Sequence, residues 1–185
     1  TYDRTLDDVF AIQDEIAGAV VDALKLTLLG EAPQVSETSP EAYALYLQAR
    51  YLSNQLRPEI FEESVDLFQQ VLELDPTYAP AYVGLGRTYR NMSVDGQLTN
   101  EEGFRKAREM FAKALELDPD LAEAHARMGL LALEYDQDTR AAVKYYQRAM
   151  ELNPNDPAAM QGVAMLSALL GDYETAVTAK DSKST

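Results

Sequence analysis

The chain has 185 residues, 46% of them apolar and 25% charged, which leaves room for one large or two small globular domains. No run approaches the ~18 consecutive apolar residues of a membrane-crossing helix, and the absence of cysteine excludes disulfides and thiolate metal sites. The net charge of −15 is spread as −6, −5 and −4 over residues 1–38, 39–119 and 120–185, and so even an acidity repels phosphate, which argues against nucleic acid or an anionic membrane as direct partner.

The opening Thr1-Tyr2-Asp3-Arg4 lacks an initiator Met and has no basic-then-apolar stretch behind it, so it reads as mid-protein sequence without a signal peptide. Residues 6–29 are predicted to form one amphipathic helix. Leu6, Val9, Phe10, Ile16, Val20, Ala23 and Leu24 recur at steps of three and four. Asp7, Asp8, Asp14 and Glu15 suit the positive end of its dipole, and Gly30 is a plausible stop. Residues 1–30 are expected to be the tail of an upstream domain, and the polar stretch 31–38 a linker.

From Ser39 onward the pattern is helix–turn–helix, with no alternating strand pattern, so the fold class is all-α. Ser39-Pro40 and Asp156-Pro157 read as an N-cap followed by Pro at the first helical position. Thr99 with Glu102, and Asp120 with Glu123, have capping-box spacing. Three near-copies of one tetrapeptide close apolar-periodic stretches: Glu73-Leu74-Asp75-Pro76, Glu116-Leu117-Asp118-Pro119 and Glu151-Leu152-Asn153-Pro154. Their prolines lie 43 and 35 residues apart, a period that belongs to stacked helical repeats.

Tyr82, Leu85, Gly86 and Tyr89, then Ala107, Phe111, Ala114 and Pro119, fit the two helices of one unit. His125, Met128, Gly129 and Ala132, then Ala142, Tyr146, Ala149 and Pro154, fit the next. A looser unit precedes them (Leu45, Ala49, Leu52, Ser64, Phe68, Val71, Pro76), and another begins at Met160, Val163 and Ala164 before a turn at Gly171-Asp172-Tyr173. The small residues Ala49, Gly86, Gly129 and Ala164 fall where two helices are expected to approach closely. These residues resemble the tetratricopeptide repeat, which implies a right-handed superhelical solenoid of about three and a half repeats, 39–76, 77–119, 120–154 and 155–180, with a disordered tail at 181–185. Two units are longer than the usual period, by about nine residues around Met92 to Gly103 and about three around Arg57-Pro58-Glu59. Both are expected to enlarge turns on one face.

Tyr2-Asp3-Arg4, Leu6, Asp8-Val9-Phe10 and Ala11-Ile12-Gln13-Asp14-Glu15-Ile16 resemble a stretch in bacterial multidomain proteins that joins a TolB-like segment to carboxy-terminal tetratricopeptide repeats. Such proteins often carry a class III adenylate/guanylate cyclase, a winged-helix regulator or a kinase upstream. The resemblance implies the regulatory part of a signalling protein.

The repeat resemblance also implies that the first helix of each unit lines a concave groove. Groove positions are then Tyr43, Tyr46, Arg50 and Asn54; Val83, Arg87, Arg90 and Asn91; Glu123, Ala126, Leu130 and Glu134; and Gln161, Met165 and Leu169. Arg50, Arg87 and Arg90 reverse the sign of the chain locally, which suits an acidic peptide or a free carboxyl terminus. Tyr46 and Arg50 stand where chaperone-binding repeats need Lys and Asn, so chaperone binding is not implied. His125, the single histidine, is expected to pack. Gly84 and Gly86 lie inside a helical pattern and form no phosphate loop. The expectation is a non-enzymatic protein-interaction module without cofactor or metal. The alternative is a structural scaffold that associates with itself through uncapped ends.

Overall fold

A computed structural model describes residues 38–181. The predicted helix 6–29, the linker, the TolB-like resemblance and residues 182–185 lie outside the described residues. Among the described residues there are seven helices and no strand: α1 Pro40–Asn54, α2 Phe61–Leu74, α3 Ala79–Val94, α4 Asn100–Leu117, α5 Ala122–Glu134, α6 Thr139–Leu152 and α7 Pro157–Asp181. A 3-10 turn, Pro58–Ile60, leads into α2.

α1 packs on α2, α3 on α4 and α5 on α6, and the pairs join through α2–α3 and α4–α5. The first helices α1, α3, α5 and α7 also touch in series, so they form one layer of an all-α solenoid. The core is divided accordingly. Phe68, Phe111 and Tyr146 each centre one cluster of buried apolar side chains. Each ring lies against a glycine or alanine of the first helix beside it, as close packing of helices requires.

The tetrapeptide motif has a common local cause. Asp75, Asp118 and Asn153 end their helices in nearly the same extended backbone, with φ/ψ of −142/90°, −137/92° and −147/96°. The following proline favours that conformation and cannot continue the helix. Each side-chain Oδ1 accepts the backbone N–H two residues on, at 2.9–3.1 Å, from Thr77, Asp120 and Asn155. These local turns are the reason the motif tolerates Asp or Asn but recurs in place. At the next first helix a polar tip returns to the turn: Tyr82 Oη donates to the Pro76 carbonyl at 3.1 Å, and His125 Nε2 to the Pro119 carbonyl at 2.8 Å.

Ser39, Thr99 and Asp156 cap their helices as expected, accepting from Ala42, Glu102 and Ala159. Asp120 does not. α5 begins one residue later, after Leu121, and the Asp120 carboxylate instead pairs with Arg148 at 2.7 Å. The long unit also departs from expectation. Met92, Ser93 and Val94 extend α3, Asn100 to Gly103 open α4, and only Asp95–Thr99 remain as a loop. Close packing allows this: a Cβ on Gly103 would meet the Ser93 side chain and lie 3.0 Å from the Tyr89 carbonyl oxygen. Gln97 of that loop donates to the Pro58 carbonyl at 2.8 Å, so the two lengthened edges meet each other. Finally, α7 runs unbroken through Gly171-Asp172-Tyr173. The surrounding Ala and Leu favour helix, and one interior Gly costs only about 1 kcal/mol. Ala164 is consequently exposed, since among the described residues no second helix of its unit lies against it, whereas Gly162 packs on Tyr146 of the preceding unit.

Candidate functional site

The inner layer brings α1, α3 and α5 side by side, and with them most of the charged residues singled out in the sequence. Arg50 lies beside the Tyr46 hydroxyl, whose electrostatic attraction holds the guanidinium above its ordinary pKa. Arg87 lies one unit along. Burial lowers its pKa, and repulsion from Arg127 and Arg50 lowers it further against the attraction of Glu123. Arg90 Nε and Nη2 donate to both carboxylate oxygens of Glu134, with the shortest contact at 2.6 Å, and this fork ties α3 to α5. Arg90 Nη1 leans on Asn91 at 3.4 Å.

Glu123 faces this group from α5. Burial raises its pKa, but the hydrogen bond and ion pair with Arg127 at 3.0 Å, together with Arg87 and Arg50, outweigh burial and hold the carboxyl below the usual range. Asp156 at the start of α7 completes the charged set. Burial pushes its carboxyl up, and Glu123 adds to the effect.

Several predicted groove residues are placed otherwise. Tyr46, only 7% exposed, is a core residue: it meets Tyr78 edge-on at 5.2 Å and Phe68 at 6.1 Å. Burial raises its hydroxyl pKa, and the Tyr78 hydroxyl is pushed up to about 12 for the same reason. Val83 and Ala126 are buried in the core clusters, whereas Asn91, also buried, lines the inner-layer cavity with Arg87 and Arg90. Arg90 is not a free cation, since Glu134 holds it. Tyr43, Arg50 and Asn54 are exposed, and Arg87 and Leu130 are half-buried. Sequence reading missed Arg127. Its signal was its register: Gly84, Arg127 and Gly162 are separated by the same 43 and 35 residues as the prolines. It also missed Ser53 and Thr88, whose buried hydroxyls share a hydrogen bond at 3.0 Å, with Ser64 donating to the Ala49 carbonyl at the same distance. This network locks α1, α2 and α3 beneath the charged face.

A cavity of about 190 Å³ opens in this layer, lined among others by Ser53, Asn54, Arg87, Arg90, Arg127 and Leu130. A second cavity, of about 390 Å³, lies between α5 and α6 and is lined by His125, Ala141, Lys144, Tyr145 and Arg148. His125 is held by its bond to Pro119 and sits 6.4 Å from the Tyr145 ring, a packing arrangement.

Comparison with known proteins agrees with the repeat geometry. Two family profiles described as tetratricopeptide repeat match residues 122–156 and 145–178. A Rhizobium meliloti (strain 1021) protein named "Putative adenylate cyclase 3" is 35% identical over 88 residues, which is 45% of this chain and 15% of that protein. The chain thus matches a small part of that relative's length.

Proposed function

We propose, from the premise that this chain is built of tetratricopeptide repeats, that it is a protein-interaction module whose first-helix layer receives a peptide or partner surface. Repeat stacks offer an extended curved face, and that is the general basis of their use in binding. The observation that carries the reading is the charge of this face: Arg50 and Arg87 stand there without an ion pair to an acidic side chain, beside Arg90 and Arg127, which Glu134 and Glu123 pair, in a chain of net charge −15. Acidic groups on the partner match that excess, and exposed Tyr43 and half-buried Leu130 supply apolar contacts beside it. The repeats run 39–76, 77–119, 120–154 and onward from 155. The cyclase name of the relative favours a regulatory role beside a bacterial signalling domain, on either side of the inner membrane. The module itself is assigned no chemistry.

A second reading, a self-associating scaffold, is favoured by one observation. Tyr43, Leu47 and Tyr51 recur every four residues along α1 and are all exposed, Tyr51 by 67%. Affinity capture from bacterial lysate separates the two. The bait is the chain beside its Arg50→Glu/Arg87→Glu variant, both checked for helical content. A protein held by the first and lost by the second is the expected result. Capture of nothing but copies of the chain by both baits overturns the groove reading in favour of the scaffold.

A further inference from the structure

The outer side of the stack carries a charge that changes sign from one end to the other. Each second helix shows an exposed row at steps of four residues: Glu62, Asp66 and Gln70 on α2, Arg105, Glu109 and Lys113 on α4, and Arg140, Lys144 and Arg148 on α6. The rows are equivalent, since their members stand 43 and 35 residues apart, as the closing prolines do. They sum to −2, +1 and +3, so one register turns from acidic to basic along a chain of net charge −15. Local effects account for only part of this. Glu62 and Glu63 lie in the first turn of α2, where the helix dipole favours acids. Arg140 holds the equivalent place in α6, where the dipole opposes it. Like charges four residues apart, as in Glu62 and Asp66 or Arg140, Lys144 and Arg148, also weaken a helix. The middle row is settled within α4, where Arg105 pairs with Glu109 and Lys113 with Glu116. On α6, Arg148 is shared between Asp120 and Glu151. On α2, among the described residues, none of Glu62, Glu63, Asp66 and Glu73 has an ion-pair partner.

Exposed ion pairs contribute little one by one, so a basic row needs apolar contact beside it to hold a partner. α6 has both. The cavity of about 390 Å³ borders its row, with Ala141 and the Tyr145 ring in the wall beside Lys144 and Arg148. A helix laid along α6 covers apolar surface there while its acids reach the cations. We propose that the α6 row is a docking surface for a second copy of this chain, which lays the acidic row of its α2 along it. The same contact forms in reverse when two copies meet about a two-fold axis, so that α2 of each lies on α6 of the other and the assembly closes as a dimer. Repulsion between two acidic copies is confined to short range at about 0.15 M salt, where the screening length is ~8 Å. The first-helix layer with Arg50 and Arg87 stays clear, so the dimer stands or falls apart from the groove reading.

The test is sedimentation equilibrium at about 0.15 M salt, on chains that all carry Leu47→Glu/Tyr51→Glu, so that the exposed apolar side chains of α1 take no part. Arg140→Glu/Lys144→Glu and Glu62→Lys/Asp66→Lys are compared with this parent, and circular dichroism checks that each keeps its helical content. The parent is expected to pass from monomer to dimer and to stop there. Each charge variant alone is expected to dimerise more weakly by about tenfold or more. An equal mixture of the two is expected to dimerise as the parent does, because unlike rows then face each other again across the interface. One variant makes the chain more acidic and the other less, so general repulsion cannot weaken both. A parent that stays monomeric up to about 1 mM overturns the dimer, and so does a mass that climbs past the dimer. Charge variants that associate as the parent does overturn the contact between α2 and α6. Weakening by both without recovery in the mixture overturns it as well, since the rows then act within one copy.

Discussion

Gly84, Arg127 and Gly162 occupy one register in successive units, and what stands there decides what the neighbouring ring can do. A Cβ on Gly84 would enter the Phe68 ring, and one on Gly162 the Tyr146 ring. Gly162→Ala is accordingly expected to cost about 1–3 kcal/mol through overpacking, measured as a lower urea midpoint. At the middle position the glycine is replaced by Arg127, and there the structure has a charged cavity wall instead of a closed seam. Charge at this scale also sets the acid response. Glu123 has a depressed pKa, so its stabilising contribution is full above the unfolded value of about 4.3 and is lost as pH falls through the folded value. Asp156 has a raised pKa, so its ionisation opposes folding at neutral pH and that opposition lifts on acidification. Glu123→Gln is therefore expected to flatten the loss of stability between neutral pH and about pH 3.5, and Asp156→Asn to steepen it. Denaturant midpoints at the two pH values check both signs. Sequence alone marked Arg50 and Arg87 but could not pair Arg90 with Glu134, 44 residues away, because side-chain pairing across units depends on the stacking angle.

Helices and turns were legible where a local signal acts alone. Ser39, Thr99 and Asp156 cap as their types demand, and the Asp-Pro and Asn-Pro turns repeat with nearly constant dihedral angles. Reading failed where packing overrides a breaker. Gly103 reads as a loop residue, yet it sits in the first turn of α4 because α3 passes too close for any side chain. The longer α4 then carries Phe104 to Tyr135, where the rings stack at 4.8 Å, and Arg108 to Asp136 at 2.7 Å. The lengthened unit is thus braced against its neighbour. Gly96 is the one glycine of the short loop that needs its freedom, with φ of +85° and open space around it. Gly96→Ala is expected to cost about 1 kcal/mol from backbone strain alone, seen as a lower melting temperature with an unchanged circular dichroism spectrum.

At the scale of the whole fold, the described residues form a row of small cores, each centred on one ring and in contact mainly with its neighbours. The fold was legible for that reason: each unit repeats the same short-range instructions, and the 43- and 35-residue steps give the register directly. The ends follow a different logic. Tyr43, Leu47 and Tyr51 on α1, and Met160, Met165 and Leu169 on α7, are exposed apolar side chains at the two ends of the row. The chain is expected to show a molecular mass that rises with concentration in sedimentation equilibrium, and Leu47→Glu/Tyr51→Glu to reduce the rise; a mass constant over the range removes the scaffold reading. The fork between Arg90 and Glu134 has a mechanical consequence. It spans from α3 to α5 and is only partly shielded, with side chains 24% and 29% exposed. Ions in solution weaken such a pair, so this clip between α3 and α5 is the part of the stack most sensitive to the surrounding electrolyte. Salt is accordingly expected to loosen the tie between α3 and α5, whereas the apolar seams beneath it keep their hold.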